Sequence, residues 1–300
     1  MKNNIAVIGL GSMGYGIATS CLRSGHLVWG VDTNIDQVKA FCSQGGQATT
    51  LNSVIDKIDV VVVVVLNSVQ TEEVLFGQEG LVENLKPGTV VISCATVAPT
   101  FAIDMEKRCK EFEVFYLDAP ISGGALKAKN GQLSIMASGV KEAFQHARPT
   151  LDSISETVFE LGDEAGTGSA MKSVNQLLAG VHIAVMAEAL TFGISQGISP
   201  DKFVEVISKC AGTSWMLENR APHIVNGDYK PHSSINIWPK DLGIVLDVAL
   251  ESKFNAPIAT AALEQFRTAV DMGLGFEDDA AVAKVYAKSA NLSLPKKNDV

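Results

Sequence analysis

The chain has 300 residues, of which 47% are hydrophobic and 19% charged, a profile that excludes a disordered protein and is long enough for two cores. Its formal net charge of −9 argues against nucleic acid or an anionic membrane as a partner, because both need a basic footprint. A small anionic ligand stays possible, since one pocket can be positive on an acidic protein. The chain opens with MKNNIAVIGLG, which enters a strand-like run with no signal-peptide pattern. NIAVIGL, HLVWGVD, DVVVVVVL (59–66), TVVISCA and FEVFYLDAP read as strands in chain order. The valine run shows no alternation, so both its faces should be buried, as in the middle of a parallel sheet. Helix-like segments lie between these runs, near 12–24, 34–43, 70–76 and 98–110. Strands alternating with helices imply right-handed βαβ units and a doubly wound sheet.

In that setting stands Gly9-Leu10-Gly11-Ser12-Met13-Gly14, a G-x-G-x-x-G that follows the first strand and opens a helix. Asp32 closes the second strand. Alone the glycine pattern is weak; in this context it is the dinucleotide fingerprint of a Rossmann sheet. The glycines serve the tight turn, the approach to the pyrophosphate and close helix packing, and the helix N-terminus attracts the phosphates. An aspartate at 32 would accept hydrogen bonds from the adenosine ribose and repel a 2′-phosphate, which favours NAD over NADP. A plain βα turn, with Asp32 as a turn residue, is the alternative.

Beyond a helix near 140–151, SETVFELGD (155–163) reads as the last strand of this sheet, and GDEAGTG (162–168) as a boundary. We expect a cofactor domain over 1–163 and an all-α substrate and oligomerisation domain over 164–300. A long apolar helix over about 168–195 should link them, spanning roughly 40 Å. So apolar a helix must be buried, and a homodimer or homotetramer interface is one candidate. Its mostly apolar stretch, 177–190, carries His182 and Glu188 and is short for a bilayer span, so no membrane is expected. Further helices are expected at 200–209, 214–220, 240–252, 257–272 and 279–290, with Pro239 in a first turn. The tail LPKKNDV is polar and expected to be loose. The five cysteines (21, 42, 94, 109, 210) are scattered and without a C-x-x-C, so a cytoplasmic setting fits. No metal-ligand spacing appears among cysteines and histidines.

GLGSMG at 9–14, DAPISGG at 118–124, GTGSAMKSVNQ at 166–176 and KDLG at 240–243 together resemble the β-hydroxyacid dehydrogenases, which include 3-hydroxyisobutyrate dehydrogenases and tartronate semialdehyde reductases. The resemblance covers nearly the whole chain. SCATVAPT (93–100), NQLLAGVHIA (175–184) and SWMLENRAPH (214–223) are more narrowly similar to the L-threonate dehydrogenase branch, which oxidises a C2 hydroxyl with NAD.

The resemblance implies that Lys172 is the catalytic acid/base, and alcohol oxidation by hydride transfer does require a group to take the hydroxyl proton. A lysine can do so when burial and a neighbouring cation lower its pKa from ~10.4; the residues alone would also allow a snorkelling surface lysine. Asn175, one turn along, would bind a substrate oxygen or steady the lysine, or be an ordinary satisfied amide; Gln176 reads as structural. Ser122 with the N–H groups of Gly123 and Gly124 could cradle a carboxylate, or form a flexible turn. Thr96 and Lys240 are implied as cofactor-side residues, Lys240 otherwise being a helix-start charge. Cys94 reads as a packed thiol, His182 as a structural histidine, and Ser214 and Trp215 as substrate-side candidates, tryptophan in a helical domain being otherwise a core residue. A 3-hydroxy acid, tartronate semialdehyde, or a non-catalytic dinucleotide sensor remain competing readings.

Overall fold

Five parallel strands carry the first half of the molecule. They are β1 (Asn4–Ile8), β2 (Leu27–Val31), β3 (Val60–Val63), β4 (Val90–Ser93) and β5 (Phe115–Asp118), in the spatial order β2-β1-β3-β4-β5. Helices α1 (Gly14–Arg23), α2 (Ile35–Ser43), α3 (Ser68–Phe76) and α4 (Pro99–Lys110) follow the first four strands in turn. A one-residue parallel bridge from Trp29 to Gln47 adds the vestige of a further strand outside β2. With it the order reads 3-2-1-4-5-6, that of a doubly wound dinucleotide-binding sheet. The computed structural model describes residues 2–47 and 51–297, and the chain divides into two compact units, Met1–Lys172 and Ser173–Val300.

The valine run behaves as its sequence demands. Val60 and Val62 pack with Ile5, Val7 and Ile17, while Val61 and Val63 pack with Ala6, Ile8 and Trp29 on the opposite face. The strand ends at Val63, short of the full apolar run. Asn67 then caps α3 by accepting the Gln70 N–H.

The last expected strand lies elsewhere. SETVFELGD does form a strand, β8 (Ser155–Glu160), but not in the main sheet. It belongs to a second, three-stranded sheet with β6 (Ile121–Ser122) and β7 (Leu133–Ala137), around which lie α5 (Gly124–Asn130) and α6 (Lys141–Ile154). The reason is local. Asp118 and Ser138 exchange two backbone hydrogen bonds, of 3.0 and 2.9 Å, so the end of β7 rather than β8 meets the end of β5.

Cys21, Cys94 and Cys109 are buried, and burial pushes each thiol up to about 12. Cys94 is thus a packed thiol, as its sequence setting suggested. Since the thiolate is the reactive form, Cys210 and Cys42 should be the fast-reacting thiols with Ellman's reagent on the native protein, the other three reacting only on unfolding. Prompt reaction of all five would contradict this burial.

The second unit is helical: most of α7 (Thr167–Ser195), then α8 (Pro200–Ile207), α9 (Trp215–Val225), α10 (Ile237–Glu251), α11 (Pro257–Asp271) and α12 (Ala283–Ser289), with no strand among its described residues. The division between units falls inside α7. At 29 residues, α7 is long and apolar enough by length and composition to cross a membrane, so the shortness of its apolar stretch is not what argues against a span. Instead Ile183, Met186, Ala187 and Leu190 build the unit's core with Phe203, Leu217, Trp238, Leu263 and Phe266. It is a core helix. Helix α10 begins at Ile237, three residues before expectation. Pro239 still lies in the first turn, where a missing N–H leaves no intrahelical bond unmade. The tail is not loose as far as Lys297: Leu294 packs on the core, and residues 295–297 run over Gly227, where a Cβ would meet Pro295 O at 2.8 Å. Residues 298–300 lie outside the described residues.

Candidate active site

Because the strands run parallel, the segments after β1, β2, β4 and β5 leave from one edge of the sheet, where such folds bind ligands. Gly9 turns with φ +92°, and a Cβ there would strike Val64 O at 2.3 Å. At Gly11 an added Cβ would meet nothing within 4 Å, which leaves the backbone open to a ligand. At Gly14 it would meet Gly9 O at 1.8 Å. Turn, open approach and close packing thus fall to the three glycines in that order. Ser12 is exposed and Met13 half-buried; Met13 sits at the N-cap of α1, where no side chain caps the helix, so its first-turn N–H groups suit a phosphate. Asp32 accepts the Leu10 N–H at 2.5 Å and the Asn34 N–H at 2.7 Å, which tethers its carboxylate to the glycine loop. Thr96 is half-buried, three residues past β4.

At the next strand end the chain turns from β5 into Ile121-Ser122, then into Gly123 and Gly124, both with positive φ. Gly124 has open space where a Cβ would be. Lys172 comes to this segment from 51 residues away. Its side chain is buried, 7% exposed, and its Nζ donates to Ile121 O at 2.8 Å. The amine and the candidate anion cradle are therefore neighbours, one peptide apart. Lys172 is not a snorkelling surface lysine.

The second unit holds a chain of polar groups. Asn175 Nδ2 donates to Gln176 Oε1 at 2.9 Å, Gln176 Nε2 donates to Asp241 Oδ2, and Lys240 Nζ lies 2.6 Å from Asp241 Oδ1. Asp241 is 3% exposed, so its charge is matched by the adjacent ammonium and the Gln176 amide. Gln176 is structural in the sense that it ties Asn175 on α7 to Asp241 on α10. Ser214 caps α9 through the Leu217 N–H at 3.1 Å, which accounts for it without a ligand. Trp215 is largely exposed, contrary to the core placement usual for tryptophan.

Residues 4–162 match the family described as the NAD binding domain of 6-phosphogluconate dehydrogenase. Residues 166–286 match that described as NAD-binding of NADP-dependent 3-hydroxyisobutyrate dehydrogenase. An L-threonate dehydrogenase of Cupriavidus necator is 46% identical, over 95% of this chain and 97% of its own. The chain belongs to the 3-hydroxyisobutyrate dehydrogenase-like family. It is an NAD-dependent hydroxy acid dehydrogenase. An L-threonate dehydrogenase of Escherichia coli K12 is 42% identical, with 95% of each chain covered. Among solved structures, 3-hydroxyisobutyrate dehydrogenase from Salmonella typhimurium is similar with a TM-score of 0.89 at 40% identity, covering 95% of this chain and 100% of that one.

Two residues of this dehydrogenase stand inside quoted motifs but had no role assigned from sequence. Asp241 follows Lys240 and neutralises it. Asp118 ends β5, is 1% exposed, and accepts hydrogen bonds from Ser169 Oγ, Ser169 N, Gly166 N and Ser138 Oγ. Burial pushes its carboxyl up, and the bonds from Ser169, Gly166 and Ser138 pull it back. A signal was present: an apolar strand ending in a carboxylate, DAP, with no basic residue near it in sequence, implies a partner elsewhere in the chain.

Proposed function

We propose that this chain oxidises the C2 hydroxyl of L-threonate to the 2-oxo acid, with Lys172 taking the hydroxyl proton. The observation that carries the mechanism is the 2.8 Å hydrogen bond from Lys172 Nζ to Ile121 O. It fixes the amine next to Ser122, Gly123 and Gly124, whose hydroxyl and N–H groups suit the substrate carboxylate. The substrate assignment is supported by the 42–46% identity to L-threonate dehydrogenases over nearly the full chain. NAD, when bound, supplies the hydride acceptor. Gly9, Gly11, Ser12, Met13, Gly14, Asp32, Thr96 and Lys240 would hold it, and Asn175 would bind a substrate oxygen. Residues 1–163 would serve the cofactor and 164–300 the substrate and assembly. The scattered cysteines fit work in the cytoplasm.

Val174, Leu178, Val185 and Phe192 form an exposed apolar stripe along α7, spaced to share one helix face. We assign it to contact with a second copy, in a homodimer or homotetramer; a monomer mass by light scattering would refute this.

The deciding experiment follows NADH at 340 nm with L-threonate, D-threonate, 3-hydroxyisobutyrate and glycerate offered in parallel. Turnover on L-threonate alone supports the proposal. Turnover on another acid keeps the mechanism and replaces the substrate, and silence on all four with NAD still bound points to a substrate outside the panel or revives a non-catalytic role. For the cofactor, Asp32→Ser should move the NADP/NAD preference toward NADP on the order of 10²-fold, since juxtaposed like charges cost several kcal/mol. The ratio of kcat/KM values for the two cofactors measures it, and an unchanged ratio would remove Asp32 from cofactor selection.

A further inference from the structure

We infer that Asp118 is a positioning residue for Lys172: its carboxylate locks the first turn of α7 to the end of β5 and so sets the lysine amine on the Ile121–Gly124 segment. This rests on the reading of Lys172 as the proton-accepting group.

A helix start leaves N–H groups without intrahelical partners. No residue adjacent in sequence satisfies those of α7 with a carboxylate; Asp118 does so from another element. Its Oδ2 accepts the Gly166 N–H at 2.9 Å and the Ser169 N–H at 2.8 Å, and its Oδ1 accepts the Ser169 hydroxyl at 2.6 Å. The Gly168 N–H goes to Ser138 Oγ at 3.0 Å, and that hydroxyl also reaches Asp118. A negative group at this helix end is further favoured by the helix dipole. Gly168 itself lies against the strand ends, with an added Cβ 2.5 Å from Asp118 O and 2.6 Å from Met136 O.

The geometry forms two rungs. Asp118 bonds Ser169 and, three residues further along each segment, Ile121 bonds Lys172, with a sequence separation of 51 in both. Ser169 and Lys172 are i, i+3 and share a helix face. The first rung fixes the root of the helix, and the second places the amine beside Ser122. If the first rung is removed, the lysine keeps its chemistry and loses its place.

Four variants test this: Asp118→Ala, Asp118→Asn, Gly168→Ala and Lys172→Ala. Each is measured for NAD affinity, Tm, kcat and KM on L-threonate, and the three variants that keep Lys172, beside wild type, for pH-dependent acetylation of that lysine by acetic anhydride read by peptide mass spectrometry. Asp118→Ala and Gly168→Ala should lower kcat by about 10–100-fold, since misplacement near 1 Å can cost 10²-fold. NAD affinity should hold, and Lys172 should acetylate several-fold faster as it leaves the Ile121 carbonyl. Asparagine can still accept both N–H groups through its carbonyl and donate to Ser169 Oγ, so it should restore both readouts. Wild-type kcat and labelling in Asp118→Ala, or no rescue by asparagine in a folded, NAD-binding protein, would overturn the inference. Should Asp118→Ala fail to fold, Gly168→Ala and Asp118→Asn decide the matter. Full activity in Lys172→Ala would instead sink the reading of the lysine, and the acetylation rates would still report whether Asp118 positions it.

Discussion

Replacing Lys172 by alanine is expected to lower kcat by about 10²–10⁴-fold, the range a positioned general acid or base contributes, with NAD affinity retained. Lys172 is 7% exposed and its amine donates to Ile121 O at 2.8 Å, so its removal takes a held amine out of a buried position. Alanine suits a helix and leaves untouched the hydrogen bonds from Gly166 and Ser169 to Asp118 that seat the first turn. The glycine loop and Asp32 belong to the ends of β1 and β2, which accounts for unchanged cofactor binding. Lys172→Arg separates charge from proton transfer: a guanidinium keeps the cation and gives up no proton at working pH, so this variant should be nearly as inactive as alanine. Steady-state kinetics with hydroxy acid and NAD, beside cofactor binding by fluorescence, make the measurement. Arginine activity near wild type would mean that the site needs only a positive charge.

In the second unit, Arg220→Met should destabilise the fold by about 3–5 kcal/mol, the usual effect of removing one partner of a buried ion pair. Arg220 Nε lies 2.5 Å from Asp279 Oδ1, with the two side chains 10% and 0% exposed. Asp279 Oδ2 accepts the Trp238 indole N–H at 3.0 Å. Trp238 stacks on Phe266, with ring centroids 5.5 Å apart, in the first turn of α10. The pair therefore anchors the helix that carries Lys240 and Asp241. Burial pushes the Asp279 carboxyl above its ordinary 3.8, and Arg220 holds it down; without the arginine it rises further. A carboxyl whose folded pKa is raised loses stability as pH climbs from the unfolded value toward the folded one. The defect in Arg220→Met should consequently be smaller at pH 5 than at pH 8. The double variant Arg220→Met with Asp279→Leu should recover much of the loss, because an apolar pair of similar volume avoids burying any charge. Urea unfolding at the two pH values tests each part, and an equal defect in single and double variants would show that packing rather than charge is at stake.

Much of this dehydrogenase is legible in one dimension. The glycine loop, Asp32, the two-faced valine strand and the long helix are local patterns, and local sterics and hydrophobic period are sufficient to place them. Lys172 and Ser122 were identifiable as parts of motifs. Their adjacency was not, because it depends on a hydrogen bond across 51 residues. Asp118 and Asp241 escaped assignment for the same reason: a polar side chain in a motif looks alike whether it meets solvent or a partner. The misplaced strand β8 shows the limit most plainly. The sequence marked residues 155–163 as a strand of the main sheet, yet strand partners are chosen by backbone hydrogen bonds, here those of Asp118 with Ser138. Period and propensity act over a turn or two of chain and so determined the elements, the cofactor loop and the chemistry on offer. The second sheet, the seated tail, and the carboxylate that roots α7 were decided only by tertiary structure, because burial obliges each polar group to find a partner wherever in the chain one lies.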